Sequence, residues 1–226
     1  MNERILVINP NSNDEVTSAI DRALLPLRSN DAPRIDCITA KDGPYGVESQ
    51  RDSDAAAIQV VRLVEENLET AAAFIIACYS DPGLAGAREL TDKPVLGIAE
   101  TALATAIQLG GAPGVISILD VAVDRHWRYA RALGLADRIV ADLAVGLPVA
   151  DLADEEKTRV RMLAAGRQLR DDFGATMIIL GCAGMARYRG VLEDDLGMSV
   201  IDPTQAAVAA AISALRLGFG TGRQGS

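Results

Sequence analysis

Two stretches, one in each half of the chain, end in the same way. Phe74-Ile75-Ile76-Ala77-Cys78-Tyr79-Ser80 and Ile178-Ile179-Leu180-Gly181-Cys182-Ala183-Gly184 are each a short apolar run closed by a cysteine and then by small or polar residues. After a similar gap each is followed by a second apolar piece with an acidic turn, Val95-Leu96-Gly97-Ile98-Ala99-Glu100-Thr101 and Val200-Ile201-Asp202-Pro203-Thr204, and then by an Ala-rich helical stretch. The match extends upstream: Arg4-Ile5-Leu6-Val7-Ile8-Asn9 pairs with Gly114-Val115-Ile116-Ser117-Ile118-Leu119, and Pro33-Arg34-Ile35-Asp36-Cys37-Ile38 with Asp137-Arg138-Ile139-Val140-Ala141-Asp142. Each half therefore carries four strands in the same order, although residue identity between the halves is low.

Apolar runs that alternate with amphipathic stretches imply an α/β fold with parallel sheets. Strands are expected near 3–9, 34–39, 72–77, 94–98, 114–118, 138–142, 175–181 and 199–201. Helices are expected near 13–25, 53–68, 82–90, 100–109, 121–133, 154–173, 184–195 and 203–217. The reading is of two pseudo-symmetric subdomains, each a four-stranded parallel sheet flanked by helices. The first spans residues 1–98 together with the C-terminal helix 203–217, the second 99–202. The Gly-rich segment 218–226 reads as a flexible tail. Ligands of open α/β sheets sit beyond the carboxyl ends of strands. Both cysteines are expected there, with the active site at the interface of the two subdomains.

Composition narrows the function classes. Hydrophobic residues make up 49% of the 226 and aromatics 4%, so the core must be built from Ala, Val, Ile and Leu, which suits buried parallel strands. Net charge is −9 with no Lys/Arg block, which argues against nucleic acid and anionic membranes as partners. No apolar run reaches membrane-spanning length, and no signal peptide is read at Met1-Asn2-Glu3-Arg4, so a cytoplasmic location is expected. In that reducing compartment the three cysteines stay thiols. His126 is the sole histidine, and the cysteines lack C-x-x-C spacing, so no metal site is expected. None of Lys41, Lys93 and Lys157 lies in a readable pyridoxal-phosphate pattern, and no glycine-rich phosphate loop appears. A cofactor-free enzyme acting on a small molecule follows.

Cys78 and Cys182 are the catalytic candidates. Free cysteine is commonly just a small buried hydrophobe, and that reading suits Cys37, which sits mid-strand. The other two each end a strand, where the N–H groups of a following helix are expected to lower the thiol pKa. A Cys–His hydrolase would leave one cysteine unexplained, and His126 reads as a surface or rim residue. Using both sulfurs means abstraction of a proton by one thiolate and donation by the opposite thiol. Around them, Asn9 and Asn11 are candidate donors to a substrate oxygen that gains charge, while Ser12 with Glu15 reads as a capping box. Ser80 is a candidate donor beside Cys78. Asp81-Pro82 and Asp202-Pro203 both read as N-cap and first-turn proline, with substrate contact secondary for Asp81. The loop at Gly43-Pro44-Tyr45-Gly46 is a candidate cover over a ligand. Gly181, Ala183 and Gly184 permit close backbone approach around Cys182.

At Ile8-Asn9-Pro10-Asn11-Ser12, Ala77-Cys78-Tyr79-Ser80-Asp81-Pro82-Gly83-Leu84 and Leu180-Gly181-Cys182-Ala183-Gly184-Met185 the chain resembles the aspartate/glutamate/hydantoin racemase superfamily. The resemblance covers nearly the whole chain, and within the superfamily it is greatest to the hydantoin and allantoin racemases. It implies a cofactor-independent racemase of 5-substituted hydantoins or related cyclic ureides, with Cys78 and Cys182 as the two bases, and a homo-oligomer. Amino-acid racemases are expected to follow the cysteines with Asn-Thr and Thr-His, where this chain has Tyr79-Ser80 and Ala183-Gly184. Tyr79-Ser80 also stands where hydantoin racemases often carry Phe-Gly, which bears on the substrate. An isomerase or racemase of a small dicarboxylate is the enzyme alternative, for which Arg125 is the one cationic candidate. A degenerate ligand-binding member is the non-enzyme alternative.

Overall fold

The computed structural model describes residues 3–148 and 154–220. Eight strands alternate with helices: β1 Arg4–Asn9, α1 Asp14–Ala23, β2 Arg34–Thr39, α2 Gln50–Glu66, β3 Ala73–Ile76, α3 Leu84–Glu89, β4 Val95–Gly97, α4 Ile98–Gln108, β5 Pro113–Ser117, α5 Asp120–Ala132, β6 Ala141–Ala144, α6 Glu155–Asp171, β7 Met177–Leu180, α7 Arg189–Leu196, β8 Ser199–Ile201 and α8 Pro203–Arg216. They form two four-stranded sheets of the same order, β2-β1-β3-β4 and β6-β5-β7-β8, parallel throughout. The register is equivalent as well. Ile8 lies opposite Ile76 where β1 meets β3, and Ile116 opposite Leu180 where β5 meets β7. In each sheet the direction in which successive strands are added reverses between the two central strands, and there the loops leaving the strands diverge to open a crevice.

The central strands carry unbroken apolar runs because they are buried on both faces. Ile5, Leu6, Ile8, Phe74, Ile75, Ile76, Ile116, Ile178, Ile179 and Leu180 are all buried without measurable exposure. The amphipathic helices cover them. α8 packs on β3, β4 and α4, so the last helix of the chain lies over the first sheet, while α4 also reaches β7 of the second.

Several local details depart from the sequence reading. The strand expected at 138–142 is Ala141–Ala144, because the chain first makes a 3-10 turn over Ala136–Arg138. The shift puts Asp142 inside the strand. The helix expected over 184–195 is a 3-10 segment, Ala183–Tyr188, that continues into α7. The cap of α1 is Asn13, whose side chain accepts from Glu15 N–H, rather than Ser12, whose N–H is bonded to the Pro44 carbonyl. α2 begins earlier than expected, behind a capping box of Ser49 and Asp52. Of the segment 218–226, residues 218–220 are described, and Gly220 lies against Asp92, Lys93 and Pro94; residues 221–226 lie outside the described residues.

Candidate active site

A cavity open to solvent at its mouth lies beyond the carboxyl ends of the central strands of both sheets. Its wall takes Asn11 and Val16 from the segment after β1, and Ala77 to Ser80 from the loop after β3. From the second half it takes Ile118, Ala122, Arg125 and His126 after β5, and Gly181 to Gly184 after β7; Val47 closes one side. The two halves thus contribute equivalent loops, and both Cys78 and Cys182 are on the wall.

Neither thiol is in the state expected from its strand-end position. Burial pushes Cys78 up to about 11 and Cys182 up to about 12. Donors do reach the sulfurs: the Ser80 N–H and hydroxyl at Cys78, and the Gly184 N–H at Cys182. Removal from water outweighs them. The helices the sequence places directly behind the cysteines are also weaker than expected. α3 starts only at Leu84, after Gly83 in a left-handed conformation, and Cys182 leads into a 3-10 segment. Arg125 adds a positive charge near Cys78, whereas Cys182 feels Cys78, Glu48 and Asp202 as negative neighbours, so Cys78 is the more easily ionised of the two. Cys37 lies in β2 away from the cavity, its thiol raised to about 12, as suits a packing residue.

The N–H groups of Tyr79 and Ala183, each directly after a cysteine, make no hydrogen bond to another described residue. Both residues line the cavity, so these groups are available to an oxygen bound there. Asn11 is also on the wall; its Oδ1 accepts from Asn9 Nδ2 and Asn13 N–H, which turns the carboxamide and leaves its Nδ2 uncommitted.

Three residues singled out in the sequence do not reach the wall. Asn9 is buried, and its Nδ2 is spent on Asn11, the Asn13 carbonyl and Thr17. It shapes the loop that carries Asn11. Pro44 is tied back by its carbonyl to Ser12 N–H, and Val47 of the same loop meets the cavity instead. Asp81 caps a helix, but not its own. Its backbone has φ 43°, and its carboxylate accepts from Ala99 N–H, Glu100 N–H and the Tyr129 hydroxyl, at the start of α4. A side chain at Gly97 would strike that carboxylate, since its Cβ would lie 2.2 Å from Asp81 Cγ. Asp202, by contrast, caps its own helix α8 through Gln205 N–H.

His126 is not a surface residue. It is 6% exposed and faces the cavity, with Nδ1 held by Asp142 at 2.9 Å and by Ser117 at 3.0 Å, while Ser117 donates to the other Asp142 oxygen. With Nδ1 turned toward the carboxylate, Nε2 is the ring nitrogen left without a partner among the described residues. Tyr79 packs edge-on to the ring, centroids 4.9 Å apart. The signal for Arg125 and His126 was present in the sequence. With Ala122 and Ala130 they form the buried stripe of α5, so two cationic side-chain types interrupt the apolar face of a helix.

Gly181 sets how closely β7 can approach β5 just before Cys182. A Cβ there would lie 2.7 Å from the Ile116 carbonyl oxygen and 3.2 Å from Ser117 Cα, both backbone atoms that cannot swing aside. Gly181→Ala is expected to cost about 1–3 kcal/mol of stability and to displace Cys182 enough to depress turnover. A lowered Tm together with slowed substrate proton exchange would bear this out, and a variant with wild-type Tm and rate would refute it.

The comparisons with known proteins agree with this architecture. The model of the Asp/Glu/Hydantoin racemase family matches residues 5–211. The chain belongs to that family. It is 34% identical to the hydantoin racemase of Paenarthrobacter aurescens over 227 aligned positions, covering 99% of this chain and 95% of that protein. The allantoin racemase structure from Pseudomonas fluorescens superposes with a TM-score of 0.90 at 32% identity, covering 98% of this chain and 94% of that one. The allantoin racemase from Klebsiella pneumoniae superposes at 0.87 and 31%, covering 99% and 91%. The chain is accordingly an isomerase of the racemase type. Among the described residues no helix is long and apolar enough to cross a membrane, and no three His, Cys, Asp or Glu side chains are grouped to hold a metal ion.

Proposed function

We propose that this enzyme is a cofactor-independent racemase of 5-substituted hydantoins or related cyclic ureides such as allantoin, working by proton transfer at C5 between Cys78 and Cys182. The observation that carries the reading is the pairing of two thiols on one cavity wall, each just past the end of the equivalent strand in two sheets of identical order. One thiolate takes the C5 proton and becomes a thiol. The electron pair left behind is shared with the adjacent carbonyl oxygen as an enolate. The opposite thiol returns a proton to the other face and becomes a thiolate. The unpartnered N–H groups of Tyr79 and Ala183, with Asn11 Nδ2, are the donors suited to that oxygen.

The relatives named above support a ureide substrate, and so does the chemistry. The C5 proton of a hydantoin lies beside a carbonyl in a neutral ring, which lowers the demand on the base compared with a free amino acid. A dicarboxylate needs two cationic partners; Arg125 is the one Lys or Arg on the wall among the described residues. The test is proton NMR in D2O of enantiopure 5-substituted hydantoins and of allantoin with the wild-type enzyme. Loss of the C5 proton signal with loss of optical rotation is the expected result. Exchange no faster than in buffer, for every compound, would sink the ureide reading.

A further inference from the structure

Arg125 makes no ion pair with a carboxylate of the described residues. The residue lines the cavity and is 6% exposed, its Nε donates to Ser80 Oγ at 2.8 Å, and its Nη1 is buried with no hydrogen-bond partner. Asp52, which acts on its charge, and the acids of the neighbouring loops are committed elsewhere. Asp52 accepts from Glu48 and Ser49 N–H at the start of α2, Asp81 holds the start of α4, and Asp142 holds His126 and Ser117. Exposed arginines of the same chain, such as Arg62 and Arg159, do find carboxylates. A guanidinium taken out of water without a counter-ion is costly in the free protein, and such a cost is retained where a ligand relieves it.

We infer that Arg125 is the specificity determinant for an anionic substituent at the reacting carbon, so that the preferred ureide carries one carboxylate on its C5 side chain. The inference rests on the ureide reading given above. Its geometry is specific: Nε is fixed by Ser80 next to Cys78, so the guanidinium is held in one orientation beside the cavity with Nη1 unpaired. A carboxylate bound to Nη1 anchors the substituent while the ring lies between the thiols. With one buried cation in the wall, one carboxylate is matched and a second is not. A neutral alkyl substituent at C5 would leave Nη1 unsatisfied in the complex.

The test compares 5-carboxymethylhydantoin with 5-isobutylhydantoin, using C5 exchange and racemisation by the wild type, Arg125→Met and Arg125→Lys. The wild type is expected to favour the carboxymethyl compound in kcat/KM. That preference is expected to fall about 100-fold in Arg125→Met, chiefly through KM, with partial recovery in Arg125→Lys. If the guanidinium served only to support a Cys78 thiolate, both compounds would lose rate together in Arg125→Met and the preference would be unchanged; that result overturns the inference. So does a wild type that handles the isobutyl compound as well as the carboxymethyl one, an outcome that leaves the ureide reading standing and needs no variant to fold. Exchange of neither compound by the wild type overturns the inference, and if allantoin and the other hydantoins also fail to exchange, the ureide reading falls with it.

Discussion

Cys78→Ser and Cys182→Ser each lower racemisation by about 1,000-fold or more, yet the two variants differ in what they retain. With one base removed, the other can still take the C5 proton from the face it touches and, in D2O, return a deuteron to that same face. Each variant therefore exchanges one enantiomer without inverting it and leaves the other enantiomer untouched. The enantiomer that exchanges identifies the surviving thiol. The logic depends on both sulfurs lying on one cavity wall but coming from different halves of the chain. A serine is the right probe because it nearly preserves volume and can still accept the Ser80 and Gly184 N–H groups that reach the sulfurs. Cys37→Ser, in β2 and away from the cavity, is the control, expected to racemise at the wild-type rate. Were either cavity variant to keep racemisation within tenfold of wild type, that thiol would not be a base, and a single-base mechanism would replace the two-base one.

How much of this was legible beforehand follows from the range over which each signal acts. The strand pattern, the equal order of the two halves and the position of both cysteines are statements about local apolar runs and their ends, and these could be read directly. The roles of Asp81 and Asp142 could not. Asp81 beside Pro82 looks like a local helix cap, but its carboxylate reaches α4, eighteen and nineteen residues on, because the loop turns through a left-handed residue. Asp142 looks like the polar end of a strand, but sits inside β6 because a 3-10 turn delays that strand. The α5 spacing puts His126 on the buried stripe with Ala122 and Ala130, but it does not report the buried carboxylate sixteen residues away that holds it. From sequence Arg125 is legible as a cation. Spacing along α5 places it on the buried stripe, but that its Nη1 is unpaired there is a property of the packed face that no spacing rule reports.

The rate of C5 exchange, measured as kcat/KM, is expected to rise about tenfold per pH unit from pH 7 to pH 9, and alkylation of the two cavity thiols by iodoacetamide should rise with it. The sign follows from the direction of the shifts. Burial raises Cys78 to about 11 and Cys182 to about 12, and the active form of the base is the deprotonated one, so activity is lost as pH falls below those values. At pH 7 a thiol with a pKa of about 11 is ionised in about one molecule in ten thousand. The deficit in rate is smaller than that, because a thiolate of higher pKa is also a stronger base. With a Brønsted coefficient of about 0.5, four units of pKa return about 100-fold in the rate constant. A net factor of about 100 remains at pH 7, and raising the pH recovers it. Alkylation at neutral pH should accordingly be slow, the reverse of what cysteines at helix N-termini would give, and a bound ureide should slow it further. A flat rate profile between pH 7 and 9, or an alkylation inflection near neutrality, would mean that the thiolate is already formed in the resting enzyme. Charge on Arg125 and the donors at Ser80 would then outweigh burial at Cys78, and exchange would be limited by a step after thiol ionisation.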